Sequence, residues 1–311
     1  MEILYALEKI RVPVLDEAML LITRLGEETV FLAAALIVFW CVDKKKGYYL
    51  LAVGFLGTML NQLLKLVCQV PRPWILDPQF SIVEKAREAA TGYSFPSGHT
   101  QSAVGTFGAL AAMTEGTWRR TICICAAVLV PFSRMYLGVH TPMDVLVASL
   151  MAVGLVFALK PVMTLEDAGK MRGLLGVMLI MAAGLLVYVR CWPFPKDMDS
   201  ANLRSGLKSA YTMLGCTAGA AVVFVCERNY VKFETRALWW VQILKTVAGL
   251  GVVLLVKEGL RDPLELVLDV YSARSVRYFL IVLTAGLLWP STFRWFSKIG
   301  VKYELRNDQK L

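Results

Sequence analysis

Residues 140–163 read HTPMDVLVASLMAVGLVFALKPVM. From Val145 to Leu159 the stretch carries no charged side chain, and Lys160 closes it. A helix needs about 20 mainly apolar residues to cross a bilayer core. The stretch therefore reads as one membrane span that opens on a polar His-Thr-Pro-Met-Asp segment. Comparable runs recur near 12–26, 28–42, 47–68, 99–114, 117–136, 173–190, 205–226, 237–256 and 275–295. Hydrophobic residues make up 57% of the 311, against about 45–50% in soluble domains. The expected fold is all-α, a polytopic membrane helical bundle of about nine or ten segments. Arg24, Gly26, Glu27 and Glu28 interrupt the first two runs, so residues 12–42 form either two short spans or an interfacial helix and one span.

The net charge is +9. In a soluble protein that excess would suggest nucleic acid, but here the basic residues cluster in short loops between apolar runs. They are read as topology signals, and no nucleic-acid partner is expected. One set of loops holds Lys44–Lys46, Arg119, Arg120, Lys160, Lys170, Arg172, Arg228, Lys232 and Arg236, followed by Arg294, Lys298, Lys302, Arg306 and Lys310. The opposite set holds Lys85, Arg87, Arg190, Lys196, Arg204, Lys257, Arg261, Arg274 and Arg277. The richer set should be cytoplasmic, which turns loop 69–98 outward from what is expected to be the plasma membrane. The N-terminal stretch, with Glu2, Glu8, Lys9 and Arg11, does not read as a removable signal peptide. The cysteines are scattered, mostly within apolar runs, and show no metal or disulfide spacing.

The chain has two histidines, His99 and His140. Both fall at outward ends of runs. Tyr93-Ser94-Phe95-Pro96-Ser97-Gly98-His99 leads into the 99–114 run. Ser97 suits a helix N-cap, and Gly98 lets the backbone approach a ligand. Unpaired N–H groups at such a helix start suit a phosphate oxyanion. The second histidine follows Ser133-Arg134 and precedes Asp144 by four residues, one helical turn. Asp144 could fix the tautomer of His140 and leave the other ring nitrogen free to attack. A helix-capping pair, or a metal site of His99, His140 and Asp144, would use the same residues. Lys65 lies one turn beyond Asn61 and two beyond Thr58, and Arg72-Pro73 follows. Lys65 can snorkel or pair with an anion, and Arg72 can grip a phosphate through two parallel bonds.

Together these pieces resemble the type 2 phosphatidic acid phosphatase family, which shares its active site with vanadium haloperoxidases. The family pattern is Lys, six residues, Arg-Pro; then Pro-Ser-Gly-His; then Ser-Arg, five residues, His, three residues, Asp. Lys65 and Arg72-Pro73, Pro96 to His99, and Ser133-Arg134, His140 and Asp144 match it in order. The resemblance covers residues 10–165 and implies a six-helix phosphatase core, placed here at 1–165. It implies that His140 is the nucleophile oriented by Asp144. His99 would be the general acid, and Lys65, Arg72, Ser97, Gly98 and Arg134 would cradle the phosphate. It implies no metal and no cofactor, and a phosphohistidine intermediate on a lipid phosphate such as phosphatidate or a polyprenyl pyrophosphate. A soluble phosphoester such as a sugar phosphate, or a non-catalytic lipid-binding or transport relative, are the alternatives.

Residues 166–311 carry none of these motifs and are read as additional helices. They are either a structural extension or a wall of the site, which Arg190, Trp192, Pro193, Lys196, Arg261 and Asp262 would reach. Lys245 stands inside a span and should snorkel or pair with a carboxylate. Trp74, Tyr93 and Phe95 suit an interfacial belt.

Overall fold

The computed structural model describes residues 1–195 and 198–296. Lys196, Lys298, Lys302, Arg306 and Lys310 of the charge reading lie outside the described residues. The helices are α1 (Glu2–Glu8), α2 (Pro13–Thr23), α3 (Glu28–Ile37), α4 (Lys44–Cys68), α5 (Pro73–Leu76), α6 (Gly98–Met113), α7 (Thr117–Tyr136) and α8 (Pro142–Ala158). They continue with α9 (Ala168–Cys191), α10 (Ser200–Cys226), α11 (Trp239–Gly259), α12 (Arg261–Glu265), α13 (Val270–Leu283) and α14 (Trp289–Ser291). Wide π-helical turns extend α3, α10 and α13.

By length and apolarity, six described segments can each cross a membrane, and a seventh is added if the bent pair Pro13–Gly26 and Glu28–Val42 counts as one. That pair breaks by 50°, where Gly26 and the two glutamates end one apolar run and start the next. The 11-residue α2 rises only about 1.5 Å per residue and is too short to span alone. The runs at 99–114 and 117–136 do become helices, but α6 has only 16 residues and α7 carries arginines in its first and last turns. They fall outside the six for those reasons, and they pack on each other and on α8.

The chain divides into two compact units that interleave along the sequence. One comprises residues 1–34, 49–162 and 187–209; the other comprises 35–48, 163–186 and 210 onward. In the first unit, α6 buries Ala103, Val104, Gly105, Ala109 and Ala111. Such small residues let membrane helices approach closely, because packing rather than water exclusion holds them there. On α8, Val145, Ala148, Ala152 and Val156 are buried at helical spacing. Tyr49 donates to the Val156 carbonyl at 2.8 Å.

The second unit is held by aromatic packing and buried polar ties. Trp40 Nε1 donates to Ala285 O at 2.8 Å, and Phe233 and Phe293 meet edge to face. Lys245 is buried rather than snorkelling, and it pairs with no carboxylate among the described residues. Its Nζ donates to Trp40 O at 2.9 Å and Thr235 O at 3.3 Å, and lies 4.4 Å from the Phe293 ring centre. The Trp40 carbonyl sits in the last wide turn before α4, where helix ends leave acceptors without an intrahelical donor. The lysine fills that need.

Candidate active site

Each candidate residue arrives at the same end of the first unit on a different element. Lys65 comes from the last turns of α4, Arg72 from the connection that follows, and His99 from the first turn of α6. Arg134 comes from the last turn of α7, and His140 and Asp144 from the entry to α8. A cavity of about 300 Å³ is lined by Lys65, Arg72, Gly98, His99, Arg134 and His140, with Thr58, Asn61, Gln62 and Gln101 along its inner wall. The sequence places these residues up to 82 positions apart in the chain, from Thr58 to His140, and the fold brings them together.

His140 is 2% exposed. Its Nδ1 lies 3.4 Å from Asp144 Oδ2 and 3.5 Å from Ser94 Oγ. Its Nε2 lies 2.9 Å from Arg72 NH1. A guanidinium can only donate, so Nε2 is the acceptor and the ring proton belongs on Nδ1, facing Asp144. Burial, then the positive charges of Arg72, Arg134 and Lys65, hold the imidazole well below its ordinary value. His140 is therefore neutral, with a lone pair aimed at the guanidinium that a phosphate would engage.

Asp144 does two jobs. Its Oδ2 accepts from Thr141 N at 2.7 Å while Thr141 Oγ1 accepts from Asp144 N, a capping box that starts α8. The same oxygen accepts from Ser94 Oγ at 2.6 Å. The carboxylate is thus pinned by the helix start on one side and by the loop before α6 on the other.

The three cations are held differently. Lys65 Nζ donates to the Tyr93 carbonyl. Arg72 donates to the carbonyls of Thr91, Gly92 and Val139 at 2.7–3.0 Å, which fixes its plane. Arg134 is completely buried and gives NH1 to Thr23 Oγ1 at 2.9 Å, while its Nε and NH2 have no partner among the described residues. Leaving such donors unmet is costly in a dry interior.

Ser97 Oγ caps α6 by accepting from Thr100 N at 3.4 Å, and its own N–H bonds the Asp144 carbonyl. It stands behind the cavity wall, with its hydroxyl proton uncommitted by that cap. At Gly98 an added Cβ would meet only Asn61 Oδ1 at 3.8 Å. Packing against the described residues therefore does not demand the glycine. At Gly26 a Cβ would stand 2.7 Å from the His99 carbonyl, so the bend between α2 and α3 is seated directly against the backbone of His99. Among the described residues, no three His, Cys, Asp or Glu side chains form a metal-binding group.

Residues 45–166 match the family model described as the PAP2 superfamily, and residues 211–301 match the model described as PAP2 superfamily phosphatase, transmembrane extension. The chain belongs to the PAP2 superfamily. An undecaprenyl-diphosphatase of Sulfolobus acidocaldarius is 30% identical over 138 residues, which is 44% of this chain and 65% of that protein. Undecaprenyl-diphosphatase BcrC of Bacillus subtilis is 29% identical over 144 residues, 45% of this chain and 70% of the relative. No solved structure matches the chain.

In this PAP2 protein a second groove, about 770 Å³, shares Arg72 and Thr91 with the cavity. One wall is the 69–93 connection with Trp74; the other is built by Pro195, Met198, Asn202, Arg204 and Ser205. A stretch outside the motif-bearing part thus borders the catalytic loop. Sequence reasoning missed Ser94, Thr23 and the carbonyls of Thr91, Gly92 and Val139. Ser94 sat inside a quoted motif stretch as an extra polar residue, and that was its only signal. The others act through backbone or tertiary contact and leave none.

Proposed function

We propose that the protein is an integral membrane phosphatase that hydrolyses a phosphate monoester or pyrophosphate of a lipid through a phosphohistidine. The observation that carries this reading is the buried cavity in which neutral, Asp144-backed His140 faces Arg72 and the unpartnered donors of Arg134. Lys65, Arg72, Arg134 and the Gly98 N–H cradle the phosphoryl oxygens, with Ser97 supporting the helix start behind them, and the cations supply the positive charge that phosphoryl transfer requires, so the chemistry needs no metal. His140 Nε2 attacks phosphorus. The N–P bond forms as the P–O bond to the leaving group breaks, and His99 protonates that oxygen. Water then attacks the phosphohistidine with His99 as base, releasing phosphate and restoring His140.

The lipid is supported by three points: both relatives are named as acting on undecaprenyl diphosphate, the site opens among membrane helices, and the neighbouring groove mixes Trp74, Ile75 and Met198 with Arg72 and Arg204. Residues 1–165 carry the chemistry in this reading, and 166–311 are supporting helices. The loop charges support an extracytoplasmic face of the plasma membrane for the site.

The deciding experiment is phosphate release in detergent, with chelator present, from phosphatidate, undecaprenyl pyrophosphate and glucose 6-phosphate. Release from a lipid substrate is expected. Release from glucose 6-phosphate alone would move the substrate to a soluble ester, and binding of lipid without release would make the protein a non-catalytic relative.

A further inference from the structure

The catalytic cavity is longer than its cradle. Thr58 precedes Lys65 by seven residues on α4, which places it about 10 Å further along the helix. Between the two levels the wall is formed by Thr58, Asn61 and Gln62 from α4 and by Gln101 and Ser102 from α6. The total space of about 300 Å³ equals roughly ten waters at about 30 Å³ each, more than one phosphoryl group fills. The side chains that α4 and α6 give to this part are amides and hydroxyls, and Glu27 and Glu28 line the same cavity; an alkyl chain would call for Leu, Val or Phe.

Gln101 is the unexplained member. It is 2% exposed, and its Nε2 has no hydrogen-bond partner among the described residues. Its position is enforced from across the helix pair: a Cβ on Gly57 would stand 1.9 Å from that nitrogen. The glycine on α4 is therefore what makes room for the amide. An amide NH₂ can only donate, so the missing partner is an acceptor oxygen.

Resting on the phosphatase reading above, we propose that Gln101, with the space Gly57 leaves for it, is a specificity-determining residue that donates to the second phosphoryl group of a diphosphate substrate. The terminal phosphoryl sits in the Lys65–Arg72–Arg134 cradle, and His140 Nε2 bonds to its phosphorus. The bridging P–O bond breaks, its electron pair stays on the bridging oxygen, and the departing species is the lipid monophosphate, whose oxygens Gln101 holds. A monoester has no second phosphoryl group and leaves this amide unmet.

The test compares farnesyl diphosphate with farnesyl monophosphate, which share one chain and differ by one phosphoryl group. Initial rates of wild type, Gln101→Met, Gln101→Glu and Gly57→Ala are measured in detergent. A hydrogen bond to a charged group is worth about 1.5–3 kcal/mol, so the ratio of kcat/KM for diphosphate over monoester should fall about 10- to 100-fold in Gln101→Met. It should fall further in Gln101→Glu, which keeps the size and adds repulsion. Gly57→Ala should move it the same way from the opposite helix. In Gln101→Met the Ki of methylenediphosphonate should rise about tenfold or more relative to that of inorganic phosphate. A parallel fall on both substrates, or an unchanged ratio, overturns the inference and makes Gln101 a packing residue. Should the methionine variant not fold, the glutamate and alanine variants decide. Wild type that hydrolyses the monoester but not the diphosphate sinks the inference while sparing the phosphatase reading; hydrolysis of neither, with lipid bound, sinks both.

Discussion

Arg134 in the first unit and Lys245 in the second are both almost wholly buried cations on membrane helices. Lys245 has given its donors to Trp40 O and Thr235 O and covers the remaining direction with the Phe293 ring. Arg134 has one bond, to Thr23, and keeps Nε and NH2 open. Both bear the cost of burying charge, but only one has been closed off by its own protein. A cation whose donors are all spent on carbonyls is a brace. One held by a single anchor, among other cations and beside His140, keeps donors to offer, and in the function proposed above they meet the phosphate.

The largest effect that could break this comparison lies at His140. His140→Ala should lower phosphate release by several powers of ten while the variant still melts as a folded protein. Near-normal turnover would remove the site altogether. Next comes Arg134→Lys, which keeps the charge and loses the fork. Its kcat/KM should fall about 10²- to 10³-fold, the scale of a lost oxyanion donor. A change under about threefold would mean that the open donors are idle. Ser94→Ala, which frees one side of Asp144, should cost about tenfold in kcat with little change in KM, the scale of a lost support around a catalytic group; a change confined to KM would argue against an orienting role. Lys245→Met should leave the rate within about twofold and lower stability by about 1–3 kcal/mol through the orphaned Trp40 carbonyl. A large catalytic loss there would erase the contrast.

The smallest effect concerns pH. The folded protein holds His140 below its ordinary value, whereas the unfolded chain takes up its proton near pH 6.5. Between the two values the unfolded state binds more protons, so this histidine's contribution to stability is full above about pH 6.5 and is lost as pH falls. Thermal unfolding in detergent should show wild type weakening more steeply than His140→Gln below that pH. Equal slopes would assign the acid sensitivity to other groups.

The candidate site was legible as three short motifs, because the chemistry proposed for it demands particular side chains at local spacings. Lys65 and Arg72, Pro96 to His99, and Arg134 to Asp144 each declare themselves within a dozen residues. Their convergence was legible only through the alternation of spans. The bend at Gly26 was visible as an interruption, but its role against the His99 backbone was not, since a glycine records only the absence of a side chain. Gly57 and Gln101 were equally silent: each is ordinary on its own helix, and their meaning lies in the close approach of the two. The interleaving of the units, with residues 187–209 grouped with the catalytic helices, was hidden as well, because periodicity reports which residues are buried and not against what.

Arg72 holds its plane by donating to main-chain oxygens, including that of Thr91. A carbonyl is common to all twenty amino acids, so the Thr91 contact is encoded in chain length rather than in residue identity. This contact fixes the place of the Thr91 carbonyl and asks nothing of its side chain, whereas removing a single residue from the segment before Tyr93 would pull the oxygen away and release the guanidinium with every motif residue still in place.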